Sequence, residues 1–441
     1  MDTITLIEYS ITDGSEAMML TQAPKGTRDI LPDEMYKWYF VEEKFSEICR
    51  RFGYREIRIP VFEHTELFQR GVGDTTDIVQ KEMYTFEDKS GRSLTLRPEG
   101  TAGVVRSFIE NGMSSLPQPV KLFYNVTAYR YEKMQKGRYR EFHQLGVELF
   151  GAGEPSADVE VISLLVLFFE SLGIKNLSLN LNSIGCPKCR GEYNDMLKEY
   201  LKDKIDGMCD LCKDRYNRNP MRILDCKEEH CKVLTAHAPA LLDHVCDDCR
   251  KHFYETTKKL DAVGIGYEID KGIVRGLDYY NKTVFEFVSK NIGTLRTVCG
   301  GGRYDGLIET CGGPATPGIG FGLGIERLLL EMESQGIEIP GPKALDIYIG
   351  SIGKDADILC EKLVWNLRAN GISCIKDIMG RSVKAQMKYA DKLGVRFSLI
   401  IGDTEVESNK ACLKDMKTGE SKDINLDTLI DRFVKEKSSG R

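Results

Sequence analysis

The sequence predicts an α+β body that carries a small inserted domain and is followed by a separate α/β domain. Three observations lead there. Residues 128–150 alternate as two strands around a glycine-centred basic loop, and a strongly apolar helical run follows. A strand-like LSLNLNS then breaks into a stretch with eight cysteines before β-like patterning resumes near Tyr267. Beyond the linker IPGPK, strands and helices alternate. The 441 residues leave room for about two to four domains with ample core. We place the boundaries at 1–20 (loosely held leader), 21–185 with 263–335 (main body), 186–262 (insert), 336–343 (linker) and 344–441 (tail domain).

Taking the elements in order, a helix is expected from Asp33, with Asp33 as its cap. Trp38, Val41, Phe45, Ile48 and Phe52 recur every three or four positions, and Gly53 ends the run. YREIRIPVFE reads as a strand in which Ile57, Ile59 and Val61 alternate with Arg58 and Pro60. Pro60 has no N–H to donate, which suits a sheet edge or a subunit boundary. Another short strand, 94–97, leads into the turn PEGTAG. There Glu99 stands either beside a ligand drawn close by Gly100 or at the N-terminus of the helix from Ala102, where its charge complements the dipole.

The hairpin is the centre of the body. Its second strand turns His143, Leu145, Val147 and Leu149 to the core and Gln144, Gly146 and Glu148 to the other side. The first strand aligns Ala128, Arg130 and Glu132, and the loop sets Lys133, Lys136, Arg138 and Arg140 around Gly137. Such a loop suits a polyanion, though a solvated basic turn has the same look. Arg130, Gln144 and Glu148 on one patch of an otherwise apolar sheet demand partners, and a ligand can be one. Residues 157–172 form a buried helix closed by Gly173.

Eight of the 14 cysteines fall in the insert as Cys186/Cys189, Cys209/Cys212, Cys226/Cys231 and Cys246/Cys249. Without a secretory signal they read as reduced thiols or metal ligands, and the first two CxxC pairs have the spacing of a tetrahedral zinc site: Cys186, Cys189, Cys209 and Cys212. His230, His237, His244 and His252 share no ligand spacing and read as surface or core residues. After the insert, 274–288 is β-like; adjacent Tyr279 and Tyr280 require either one core tyrosine or a turn. Glycines 318, 320, 322 and 324 give a strand with one bare face rather than a dinucleotide fingerprint, and Arg327 begins a helix just beyond it.

In the tail, strands near 345–349 and 397–401 alternate with helices near 355–370 and 382–393. Arg381, Lys384, Lys388 and Lys392 form a cationic stripe opposite Val383, Met387 and Ala390. No run of about 18 apolar residues occurs, and the first 20 residues lack a signal-peptide pattern, so the expectation is a cytoplasmic protein without a membrane span. A formal net charge of −6 excludes a generally basic nucleic-acid binder and leaves only local patches for such contacts.

PKGTRDILP, RIPVFE, TLRPEGTAG, the Arg130 hairpin, RGLDYY, GGGRYDGL and GFGLGIERL occur in one order across almost the whole chain. Together they resemble the histidyl-tRNA synthetases of bacterial type, a family of class II aminoacyl-tRNA synthetases. The resemblance implies a homodimer with a catalytic antiparallel sheet flanked by helices, a small inserted domain and a C-terminal α/β anticodon-binding domain. It also implies ATP, L-histidine and tRNA(His) as partners and Mg²⁺ with ATP. Segment 58–63 would belong to the dimer-interface motif. By the same resemblance, Arg130 and Arg275 would meet the α-phosphate and carboxylate as the catalytic pair. Arg138, Arg327 and Glu132 would complete the ATP site, with Arg327 stacked on adenine. Glu99, Thr101 and Gln144 would hold the substrate ammonium with Tyr279 nearby, and Glu148 and Tyr280 would pair the two imidazole nitrogens. Gln135 and Arg140 would meet the tRNA acceptor end, and Lys384 and Lys388 the anticodon.

Two relatives compete. The regulatory subunit of ATP phosphoribosyltransferase shares the catalytic fold, but it lacks the tail domain and tends to lose the ATP-binding arginines, all of which stand here. Another class II synthetase is disfavoured by HQLG…E and RGLDYY. A metal in the insert is not something the family's activity depends on.

Overall fold

The computed structural model describes residues 22–73, 76–226, 228–291 and 297–438, so the expected leader over 1–20 lies outside them. The chain divides into two units, Met1–Pro340 and Gly341–Arg441. No described helix is long and apolar enough to cross a membrane.

The first unit contains β1 (Arg55–Glu56), β2 (Phe62–His64), β3 (Thr85–Glu87), β4 (Ser93–Leu96), β5 (Val120–Tyr129), β6 (Glu141–Phe150), β7 (Ser178–Ser183), β8 (Glu268–Ile269), β9 (Asn281–Val288), β10 (Thr297–Arg303) and β11 (Gly318–Gly324). Eight of them form one sheet in the order β1-β5-β6-β11-β10-β9-β7-β8, and β2-β4-β3 form a second. The large sheet is antiparallel except for its outermost pairs, β1 with β5 and β7 with β8. The helices Pro32–Arg51 and Pro155–Ser171 cover one face through an aromatic cluster in which Phe45 meets Phe168 at 5.2 Å and Phe321 at 6.3 Å. The sequence pattern places this cluster, because every apolar position cited for the first helix up to Ile48 is buried.

Several local expectations change. Leu31, not Asp33, is the residue preceding the first helix; Asp33 lies in its first turn, where its charge still favours the dipole. Segment 55–64 is not one strand, because Pro60 interrupts the ladder and leaves Ile57–Val61 between β1 and β2. Val61, Phe62 and Phe86 are exposed there, with Phe62 edge-on to Phe86 at 6.2 Å. The strand expected over 274–288 begins only at Asn281, since the backbone turns through Tyr279. The first hairpin strand ends at Tyr129, which puts Arg130 and Glu132 just past the ladder.

The insert is helical, with its longer helices at Pro187–Leu201, Asp210–Arg218 and Asp247–Ala262. A buried ion group ties it to the body: Arg303 of β10 bonds Asp158 (Nε to Oδ2, 3.1 Å), and insert residue His252 reaches the same carboxylate at 3.3 Å. Burial alone would raise the Asp158 pKa, yet Arg303 and His252 hold it down to about 2.

The second unit is a five-stranded sheet in the order β13-β12-β14-β15-β16, formed by β12 (Ile347–Ser351), β13 (Cys374–Lys376), β14 (Phe397–Ile401), β15 (Lys410–Asp415) and β16 (Ser421–Asn425). The first three strands are parallel and the last two antiparallel. Its helix Val383–Lys392 differs from expectation on its inner face: Gln386 and Ala390 are buried, whereas Val383 is exposed. Arg381 leaves the cationic stripe, being bonded to Asp377 at 2.6 Å and stacked over Tyr389 at 4.2 Å, while Lys384 and Lys388 stay exposed.

Candidate functional site

A cavity of about 570 Å³ opens over the face of the large sheet opposite the aromatic cluster, bounded by the hairpin loop, RGLDYY and the glycine strands. The glycines give it a floor because side chains lie where their Cβ atoms would be. Gln144 fills the space over Gly322, Glu148 that over Gly320, and Arg275 that over Gly300. The bare strand face is thus largely occupied by the protein's own polar groups, and only Gly300, Gly322 and Gly324 among these glycines line the cavity.

One end is cationic. Arg130, Arg138 and Arg327 all line the cavity. Arg130 is fixed by a bond from Nε to the Pro98 carbonyl (2.7 Å), and Glu132 pairs with Arg138 at 2.7 Å and with Arg130 at 3.6 Å. Arg327 donates to the Thr297 carbonyl at 3.1 Å. Burial first, and then the neighbouring positive charges of Arg138 and Arg130, lower its pKa against the opposing pull of Glu132 and Glu326. Nearby, Glu82 has its pKa raised by burial and by the Glu132 carboxylate, so two acids compete for the same cations.

Arg275 also lines the cavity, its guanidinium 5.7 Å from the Tyr280 ring centroid, and has φ of 59°, a left-handed conformation uncommon outside glycine that costs on the order of 1–3 kcal/mol. The insert holds it there. Arg222 donates to the carbonyls of Arg275 (3.0 Å) and Gly276 (2.9 Å), and Arg215 donates to the Arg222 carbonyl (3.1 Å). The Arg275 guanidinium pairs with Glu286, yet its buried Nε has no hydrogen-bond partner among the described residues. Burial opposes its charge, but Glu286 raises its pKa further, so the cation is permanent.

The other end is a nest of tyrosines and acids. Glu99 accepts the N–H groups of Thr101 (2.7 Å) and Ala102 (2.8 Å), so it serves as the helix-end acid, while its residue still lines the cavity. Gln144 accepts from Gly100 N–H at 2.9 Å. Tyr279 and Tyr280 both line the cavity, with ring centroids 4.6 Å apart. Glu148 departs from expectation. It is fully buried over Gly320 and accepts from the hydroxyls of Tyr124 (3.1 Å) and Tyr304 rather than lining the open space. Burial pushes its carboxyl up to about 8, with the hydroxyls of Tyr304, Thr101 and Tyr124 opposing that rise.

Of the residues expected at the site, Glu99, Thr101, Arg130, Glu132, Arg138, Gln144, Arg275, Tyr279, Tyr280 and Arg327 thus meet in one cavity. Gln135 and Arg140 do not line it. Gln135 is exposed and bridges Arg138, and the Arg140 guanidinium stacks on Tyr131 at 3.6 Å. Sequence reasoning assigned no role to Tyr124, Tyr304, Glu286 or Arg222. Tyr304 lies inside GGGRYDGL and could have been found there; Arg222, in the insert, carries no local signal.

The cysteines also regroup. The set Cys186, Cys189, Cys209 and Cys212 does not assemble. Instead Cys186 and Cys189 meet Cys246 and Cys249, and Cys209 and Cys212 meet Cys226 and Cys231, each group with its sulfurs within 4.8 Å of one another. Each thiol is free.

Comparison with known proteins gives a consistent outcome. The histidyl-tRNA synthetase family model matches residues 26–328, and an anticodon-binding domain model matches 346–436. A histidine–tRNA ligase of Acetivibrio thermocellus is 66% identical over 415 residues, covering 94% of this chain and 100% of the relative. One of Caldanaerobacter subterraneus subsp. tengcongensis is 57% identical over 411 residues, covering 93% and 99%. Among solved structures, the apo histidyl-tRNA synthetase of S. aureus is 43% identical and superposes with a TM-score of 0.81, covering 94% of this chain and 99% of that one.

Proposed function

The chain belongs to the histidyl-tRNA synthetase family, and on that premise we propose that it is a histidine–tRNA ligase working in the cytoplasm as a homodimer. Histidine and ATP give histidyl-adenylate and pyrophosphate; the histidyl group then passes to tRNA(His) and AMP leaves. The observation that carries this reading is the meeting, in one cavity, of the cations Arg130, Arg138, Arg275 and Arg327 with Glu99, Tyr279 and Tyr280.

The chemistry matches those ends. The histidine carboxylate is already ionised at neutral pH, so its attack on the α-phosphorus needs no general base. It needs two anions held together and the charge on the phosphate oxygens stabilised, which preorganised guanidinium groups supply. Arg275 is suited to that work because its conformation is set before substrate arrives and its buried Nε has no partner among the described residues. Arg130 would share the α-phosphate, Arg138 the outer phosphates and Arg327 the adenine. Glu82 and Glu132 suit a Mg²⁺ brought by ATP, since hard oxygen ligands are what that ion prefers and a cation relieves their repulsion. Bound Mg²⁺ would neutralise charge on the departing pyrophosphate.

Glu99, Thr101 and Gln144 would orient the ammonium. Tyr280 would meet one ring nitrogen, and Glu148 the other once its tyrosine bonds rearrange. Exposed Val61, Phe62 and Phe86 beside Pro60 support a subunit interface there. ATP/pyrophosphate exchange with each of the twenty amino acids, followed by tRNA charging, tests the reading. Exchange with histidine alone is expected; equal exchange with a second amino acid, or none, refutes it.

A further inference from the structure

We propose that the insert binds two zinc ions in two nested tetrathiolate sites, an outer one of Cys186, Cys189, Cys246 and Cys249 and an inner one of Cys209, Cys212, Cys226 and Cys231. Zinc thiolate bonds of about 2.3 Å put neighbouring sulfurs of a tetrahedron about 3.8 Å apart. The sulfurs of Cys186 and Cys189 lie at 3.6 Å, those of Cys189 and Cys249 at 3.9 Å, and those of Cys209 and Cys226 at 3.8 Å. A disulfide would need about 2.05 Å. The separations are those of ligands around an ion, and they recur in both clusters.

The surroundings fit thiolates as well. Backbone N–H groups of Cys246 and Cys209 point at the sulfurs of Cys189 (3.1 Å) and Cys231 (3.3 Å), bonds that favour the charged sulfur. Binding displaces the thiol protons to solvent, and four sulfurs leave no open position, so each ion is structural. Chain order explains the need. The outer site ties the helix Pro187–Leu201 to the helix Asp247–Ala262, closing the insert at its root. The inner site closes the loop between them, which carries Arg215 and Arg222 to the Arg275 backbone.

The full-length protein purified without chelator should carry two zinc ions per chain by elemental mass spectrometry. Cys189→Ser with Cys249→Ser should leave one ion, and so should Cys212→Ser with Cys231→Ser, whereas Cys189→Ser with Cys212→Ser should leave none. The sequential pairing of 186/189 with 209/212 makes the opposite forecast for each double variant: none, none and one. Should a variant not fold, partial zinc loading of the wild-type chain followed by alkylation reads the same point, because protected cysteines should appear as either nested set of four. Fewer than two zinc ions per chain from zinc-replete cells, or protection of Cys186, Cys189, Cys209 and Cys212 together, overturns the proposal.

Discussion

Replacing Gly300 by alanine tests whether the glycine floor exists to seat Arg275. The added Cβ would stand 2.5 Å from Arg275 Cζ, where ordinary contact begins near 3.4 Å. The terminal nitrogens of the same guanidinium are nearer still, and being the far end of a flexible side chain they leave the strand in place; the guanidinium must retreat by about 1.1 Å. Misplacing a catalytic group by about 1 Å costs roughly 10²-fold in rate, about 2.7 kcal/mol of transition-state stabilisation. Histidine-dependent ATP/pyrophosphate exchange should fall by that order in kcat, with little change in unfolding midpoint. Gly306→Ala, where nothing lies within 4 Å, is the control and should keep full activity. Exchange within about threefold of wild type would refute the argument. So would a large loss of stability, because it would show that the strand rather than the arginine absorbed the clash.

Four further outcomes are expected. Arg303→Met leaves the Asp158 carboxylate buried with only His252, and should cost about 3–5 kcal/mol in urea unfolding; a loss under about 1 kcal/mol would mean the pair is not needed. Because the Asp158 pKa is depressed from 3.8 to about 2, its contribution of roughly 2 kcal/mol is present above about pH 4 and lost as pH falls toward 2. For Glu148 the sign reverses. With its pKa raised from 4.5 to about 8, the ligand-free fold keeps a proton that the unfolded chain releases, so this group makes stability fall as pH rises between those values. Glu148→Gln should remove that slope from a series of unfolding midpoints and raise the histidine KM by about 10- to 10²-fold; an unchanged slope would sink the assignment. Finally, Lys384→Ala with Lys388→Ala should raise the tRNA KM severalfold while exchange is untouched, and unaltered charging would remove these lysines from the tRNA face.

Much of the body could be read from the chain because its signals are local. The period of the first helix, the alternation of β6 and the every-other-residue glycines of β11 are each settled within a few residues, and the structure keeps them. Misreadings arose where a local signal had two meanings. Pro60 lies in an alternating run that reads as one strand, yet it ends the pairing. Tyr279 and Tyr280 could have been strand or turn, and only the path into β9 chose the turn that puts both rings on the cavity.

By itself, then, the sequence determined which residue types could handle an anionic nucleotide and a small polar ring, since charge, glycine spacing and hydrogen-bonding groups are properties of the residues themselves. The tertiary structure alone decided their neighbours. Spacing made the first two CxxC pairs look like partners, but the insert's helices bring Cys246 and Cys249 back to Cys186 and Cys189. Alternation put Glu148 on the polar face, but Tyr124 and Tyr304, from two other parts of the chain, close over it. Nothing near Arg222 in sequence points to Arg275, 53 positions away. Such pairings depend on where the whole backbone returns in space, and a buried charge or thiol takes whichever partner that return supplies.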